Sequence, residues 1–362
     1  LEFRRVLFRS LTISLMFMPL SEDTKQTRRI QISGGSTYTI SLPKKWVDEL
    51  GIKNGDNMTV IKNSNKSMTL FSGLENEKIQ KKAVFTIIQK DSPEAIRRKI
   101  VALYLNGYKT IQVVAKGVKI SPENSRLIKE LVRKSMIGTE IIESDSESIT
   151  IQILTRLPEL TFEVALKRMY LMTANMHRYA IEALKKFDTE YAQEVVSMDD
   201  EVDRFSLYMM RTLINAIQNS SMLYDVGLQN PADCLNYRTV ISRIERIADH
   251  AALIAKRIKF LSVPIEPKLL MEIESLSKDA IICFESAIES LIKKDHILAE
   301  KVALKITQVV EKENETLSIL KETKNSTIIK FILEDIRRTA EYSSDLIEIV
   351  VNETIRDIIS EK

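Results

Sequence analysis

The sequence predicts a multidomain chain: a short β-rich unit, then a small α/β unit, then a long all-α region. Three observations carry this reading. Between Arg28 and Phe71 apolar and polar residues alternate in short runs broken by turn residues. From 80 to 156 strand-like runs alternate with capped amphipathic helices. From about Leu160 to the end apolar residues recur at spacings of three and four with almost no glycine, the signature of helices with one buried face.

The chain has 362 residues, 44% hydrophobic and 28% charged, enough for two or three folded domains. A formal net charge of +3 is too mild to identify an anionic partner, so any such argument rests on where the charge sits. Cys234 and Cys283 have no CxxC partner spacing and read as reduced, packed thiols of a cytoplasmic protein. Arg4, Arg5 and Arg9 precede an apolar run from Leu11 to Leu20, but no small-residue cleavage site follows and the run is about half the length of a membrane-spanning helix. Residues 1–23 are therefore read as a leader outside the fold, the first fifteen or so being upstream translated or artefactual sequence, with a natural start at Met16 or Met18. No membrane insertion is expected anywhere in the chain.

The first unit is assigned to residues 24–75. Arg28 to Ser33 and Thr37 to Leu42 alternate around the Gly34-Gly35 turn, and Pro43 suits the first position of a short helix through Leu50 that Gly51 caps. Asn54-Gly55-Asp56 marks a turn before strand-like Met58 to Lys62, a polar hairpin at 63–66 and Met68 to Phe71. A unit of this size is small for a stable core of its own and calls for a second copy. The middle unit, 80–156, begins with strand-like Ala83 to Gln89. Ser92-Pro93-Glu94 and Ser121-Pro122-Glu123 then open two helices in the same way: serine caps the free amides, proline fits the first turn, and glutamate complements the dipole. Thr110 to Ala115, Ile141 to Glu143 and Ser148 to Leu154 supply further strands.

The helical region repeats. Ala180-Ile181-Glu182-Ala183-Leu184 with Asp188, Ala192 and Val195 recurs 107 residues later as Ala287-Ile288-Glu289-Ser290-Leu291 with Asp295, Ala299 and Val302. Arg246, Ala248 and Asp249 are answered 92 residues on by Arg338, Ala340 and Glu341, and Val263-Pro264 and Pro267 mark the junction. Two echoes in the same order point to a duplicated helical unit, 160–262 and 265–360.

Between Thr24 and Phe71 eight Lys or Arg residues face three acids. Arg28 and Arg29 enter a strand, Lys44 and Lys45 open the short helix, and Lys53 precedes a turn; clustered cations of this kind gain affinity for a nucleic-acid duplex by counterion release. The run Gly34-Gly35-Ser36-Thr37-Tyr38-Thr39-Ile40-Ser41-Leu42-Pro43-Lys44-Lys45-Trp46, followed by Gly51-Ile52-Lys53-Asn54-Gly55-Asp56, resembles the AbrB, MazE and SpoVT family. That resemblance implies a homodimer whose two chains exchange hairpins into one β-barrel with a basic face on double-stranded DNA, placing Arg28, Arg29, Lys44, Lys45 and Lys53 at the interface. Ile40, Leu42, Trp46, Leu50, Ile52 and Val60 would form the shared core.

Asp199 and Asp203 stand four apart on one helix, and so do Glu245 and Asp249 on a later one. Two such pairs facing each other across a bundle could ligate iron, manganese, zinc or magnesium; the plainer alternative is a solvated acidic face. Glu245-Arg246-Ile247-Ala248-Asp249-His250-Ala251, with Asp199-x-x-Val202-Asp203, resembles the PhoU family of phosphate-signalling proteins. The resemblance implies tandem three-helix bundles, metal on Asp199, Asp203, Glu245 and Asp249, and contact with a phosphate transporter or its signalling protein. In the second copy Arg337 stands for the first glutamate, and Ile306 and Val310 stand for the two aspartates, so only the first copy is expected to hold a metal.

The order of the two modules resembles archaeal PhoU-type regulators. The expected function is regulation of phosphate uptake and intracellular phosphate homeostasis by a DNA-binding protein with a PhoU-like sensor; a dimeric adaptor that does not bind DNA is the alternative. Catalysis is not expected. His177, His250 and His296 lack the Glu-x-x-His spacing of carboxylate oxidase sites, and no phosphate-binding glycine loop or nucleophile elbow is present. Met172, Met176, Met209 and Met210 are read as core filler.

Overall fold

The computed structural model describes residues 25–62, 67–72, 82–88, 90–117, 119–154, 160–218, 222–223, 226–228, 230–322 and 324–359. The leader at 1–23 and the hairpin loop at 63–66 lie outside them. The chain divides into two compact units, 1–80 and 81–362.

In the first unit β1 (Gln31–Ser33) pairs antiparallel with β2 (Thr37–Thr39) across a turn in which Gly34 and Gly35 take positive φ. Pro43 precedes α1 (Lys44–Glu49), and β3 (Met58–Lys62) pairs antiparallel with β4 (Met68–Ser72). Of the expected core, Ile40, Leu42, Leu50 and Val60 are exposed, while Trp46 and Ile52 are half-buried. A single copy of this unit therefore leaves its apolar residues in water.

In the second unit β5 (Lys82–Ile87) runs parallel to β6 (Thr110–Ala115), joined by the crossover helix α2 (Pro93–Leu105). After α3 (Pro122–Ser135), β7 (Thr139–Ser144) and β8 (Ser148–Ile153) complete a sheet of order β5-β6-β8-β7. Ser92 and Ser121 cap the two helices by accepting from the amides of Ala95 (3.2 Å) and Asn124 (3.1 Å). Ile96, Ile100, Ile111, Val113, Ile128, Leu131, Ile149 and Ile151 form the core.

Among the described residues six long helices follow: α4 (Phe162–Lys186), α5 (Thr189–Gln218), α6 (Asp233–Ile258), α7 (Pro267–Lys293), α8 (His296–Ser318) and α9 (Ser326–Ile358). α4, α5 and α6 pack on one another, as do α7, α8 and α9, and the two sets meet where α4 lies on α7 and α6 on α9. The 107-residue offset recurs in the backbone. α4 ends at Phe187 and α7 at Lys294, both in the left-handed conformation that few non-glycine residues adopt, and Asp188 and Asp295 follow with side chains accepting from amides of the next helix. Equivalent positions also meet. Arg178 pairs with Glu285, 107 residues on, at 2.7 Å, and the His250 ring lies 5.6 Å from that of Tyr342, 92 residues on. Contacts between equivalent positions are the mark of an approximate two-fold axis.

The α/β layer is bolted to α5. The Arg211 guanidinium, 9% exposed, donates to the carbonyls of Tyr104 and Tyr108 and lies over the Tyr104 ring. Gly107 between them has φ +83°, and a Cβ there would stand 2.4 Å from Asn215 Oδ1. Gly107→Ala is expected to cost about 1 to 3 kcal/mol from backbone strain and overpacking. Thermal unfolding checks this: adding Asn215→Ala should recover the steric part and leave the backbone part.

Candidate functional site

The cations of the first unit are displayed on its surface. Arg28, Arg29, Lys44, Lys45 and Lys53 are all exposed. Lys44 and Lys45 form the first turn of α1, as the Pro43 signal implies, and the Lys53 amide donates to Asp56 Oδ2 at 2.7 Å, fixing the Lys53–Asp56 turn. Arg28 and Arg29 do not enter a strand. They lie in the irregular segment before β1, whose ladder begins only at Gln31 opposite Thr39, and Arg28 donates to Gln26 Oε1 at 2.6 Å.

The four candidate carboxylates sit on α5 and α6, which pack together. Asp199, Glu245 and Asp249 are buried, at 3%, 4% and 5% exposure, whereas Asp203 is half-buried. Burying a carboxylate is costly unless compensated, so each of the three is an unusual core residue. Arg246 Nη1 lies 3.8 Å from Asp249 Oδ2 and supplies part of that compensation. Among the described residues, no group of three or more His, Cys, Asp and Glu side chains is gathered closely enough to hold a metal ion. Asp203, half-buried, is the most open of the four.

At the corresponding contact of α8 and α9 the chemistry is different. Glu313, buried on α8, accepts from Arg337 Nε of α9 at 2.8 Å, and Arg337 also engages Glu341. Burial holds the Glu313 carboxyl above its ordinary range even with this arginine beside it. Glu311 and Glu315 are exposed, so Glu313 alone of the three glutamates turns inward. The arginine that stands in place of a glutamate in the second copy therefore joins α8 to α9 by an ion pair.

Family comparison places these features. A model of the PhoU domain matches residues 166–258. The match covers α5, α6 and all but the first turn of α4, and includes all four candidate carboxylates. A second model, described as antidote-toxin recognition MazE, bacterial antitoxin, matches residues 31–82. A phosphate-specific transport system accessory protein PhoU homolog of Aquifex aeolicus is 28% identical over 158 residues, 44% of this chain and 66% of that relative's length. Two solved structures are also similar to the chain. The phosphate transport system regulatory protein PhoU from Streptococcus pneumoniae is 17% identical, covers 55% of this chain and 96% of its own, and has a TM-score of 0.47. PhoU from Pseudomonas aeruginosa is 18% identical, with 54% and 96% covered and a TM-score of 0.47.

The helices matched by the PhoU model are tied to the second helical set by buried polar groups, of which Asp335, Thr339 and Arg257 carry no signal in the sequence. His250 Nδ1 donates to Asp335 Oδ1 at 2.8 Å, and Arg257 pairs with the other oxygen of Asp335. Deeper in the core, His177 Nε2 lies 2.8 Å from Thr339 Oγ1, and Ser277 Oγ lies 3.3 Å from Nδ1. Thr339 in turn donates to the Asp335 carbonyl at 3.3 Å. With Thr339 spending its proton there, the neutral His177 ring donates from Nε2 and accepts at Nδ1. Burial drives the His177 pKa down to about 3. Burial, then the charges of Arg338, Arg257 and Arg246, drive that of His250 down to about 4, so both rings are neutral at pH 7.

Proposed function

We propose that this chain regulates phosphate transport: the PhoU domain and the helices packed on it contact a phosphate-transport or signalling protein, and the N-terminal unit, as a homodimer, binds double-stranded DNA. The observation that carries the reading is the presence in one chain of a PhoU domain at 166–258 and a MazE-type domain at 31–82. Two features of the N-terminal unit support the DNA half. Its apolar residues lie open, with Ile32 64% and Tyr38 72% exposed, as expected of half a core awaiting a second copy. Its described residues include seven exposed cations, Lys25, Arg28, Arg29, Lys44, Lys45, Lys53 and Lys62, which a symmetric pair would double to fourteen.

A gel shift over a salt series tests the proposal with the full chain. Duplex affinity is expected to fall about a thousandfold as salt rises from about 50 to about 200 mM. Replacing Arg28, Arg29, Lys44, Lys45 and Lys53 with alanine should abolish the shift. No binding at low salt would overturn the DNA half and leave an adaptor that acts through protein contacts.

A further inference from the structure

One end of the helical region combines exposed apolar side chains with exposed lysines. The α6–α7 and α8–α9 connections meet there. The Asn325 side chain, 4% exposed, accepts from the Ser262 amide at 2.9 Å and donates to the Val263 carbonyl at 2.8 Å, holding the two loops as one surface. From this surface Phe260 stands 62% exposed, Val263 59%, Ile319 56% and Phe331 47%. Lys259 Nζ lies 5.0 Å from the Phe260 ring centroid, and the Arg257 guanidinium 5.2 Å from that of Phe331, linking the aromatics to the cations around them.

Over residues 256–268 and 319–331 seven cations face two acids, Glu266 and Glu322. Lys256, Lys259, Lys268, Lys321, Lys324 and Lys330 are exposed; Arg257 is engaged with Asp335, and Lys330 lies 3.5 Å from Glu322. We propose that this end is a docking surface for a membrane rich in anionic headgroups, with Phe260 entering the interface and the lysines meeting the lipid charge.

Charge complementarity selects this occupant. Six of the seven cations are lysines, mobile point charges suited to a diffuse negative surface, whereas recognition of defined carboxylates favours the planar fork of arginine. Phe260 has no polar atom to pair and sits at a helix end, the geometry of a side chain that enters the headgroup boundary while lysines stay at its rim. The contact needs no spanning helix, and among the described residues no helix is long and apolar enough to cross a membrane. It is independent of the DNA and transporter readings.

Sedimentation of the full chain with vesicles of phosphatidylcholine alone or mixed with phosphatidylglycerol tests it. Binding is expected only to the mixed vesicles, weakening with salt. Phe260→Ser should lower affinity about tenfold or more. Joint Lys256→Glu, Lys259→Glu, Lys321→Glu and Lys324→Glu should abolish binding. Phe260→Trp should keep it and shift the indole emission to the blue when mixed vesicles are added. No binding to mixed vesicles, equal binding to neutral ones, or binding unchanged by these substitutions would each overturn the proposal, the last assigning attachment to the N-terminal cations. Capture of polyglutamate that depends on the lysines but not on Phe260, without vesicle binding, would assign the surface to an acidic protein and equally overturn it.

Discussion

Asp335→Ala is expected to lower the unfolding free energy of the second unit by about 3 to 5 kcal/mol, the cost of stranding a buried charge whose partner is removed. Asp335 is 3% exposed and receives Arg257 and the His250 Nδ1 hydrogen from α6, so its loss leaves a guanidinium and a ring donor facing an empty volume between α6 and α9. Urea unfolding followed by helical circular dichroism reads the effect as a lower midpoint with little change in slope. Asp335→Asn should cost less, because the amide oxygen can still accept one bond. Adding Arg257→Met to Asp335→Ala should return much of the loss, since the stranded cation goes with it. A change in midpoint no larger than that of a surface substitution would show that the buried pair contributes little.

The second large effect is acid sensitivity. In the unfolded chain His177 and His250 take up protons near their ordinary pKa of about 6.5, while in the folded chain they resist protonation down to about 3 and about 4. Below pH 6.5 the unfolded state therefore binds more protons. Stability is complete above that pH and falls as pH drops toward 4 for His250 and on toward 3 for His177. Within the window each ring removes about 1.4 kcal/mol per pH unit. Melting temperatures between pH 7.5 and 4.5 should drop steeply. His177→Gln, which keeps a donor near Nε2, with His250→Asn, which keeps one near Nδ1, should flatten the curve. An unchanged slope in that double variant would place the acid sensitivity in other groups.

Much of the architecture is written in local signals. Ser92 and Ser121 announce their helices because a cap acts on amides two or three residues away, and the elements of the α/β unit follow alternation that needs no distant partner. The duplication is legible because its echoes are matters of spacing, and burial of Asp199, Glu245 and Asp249 accords with their shared helix faces. Asp335, His177, Thr339 and Arg211 carry no such signal. Each is a lone polar residue in an amphipathic helix, and its role arises from partners 85 to 162 residues away: His250 for Asp335, Thr339 for His177 and Tyr108 for Arg211. The same limit explains Arg28 and Arg29, where alternation continues past the last residue that finds a ladder partner.

The meeting of Arg178 with Glu285 and of His250 with Tyr342 makes the helical region a dimer interface folded into one polypeptide. Its two halves are tethered, so their association is first order and dilution cannot separate them. Pairing of the N-terminal units in the proposed homodimer is second order and follows protein concentration. Dilution should therefore dissolve the DNA-competent pair while every helix remains packed, so the cellular amount of the chain would set how much of it reaches an operator.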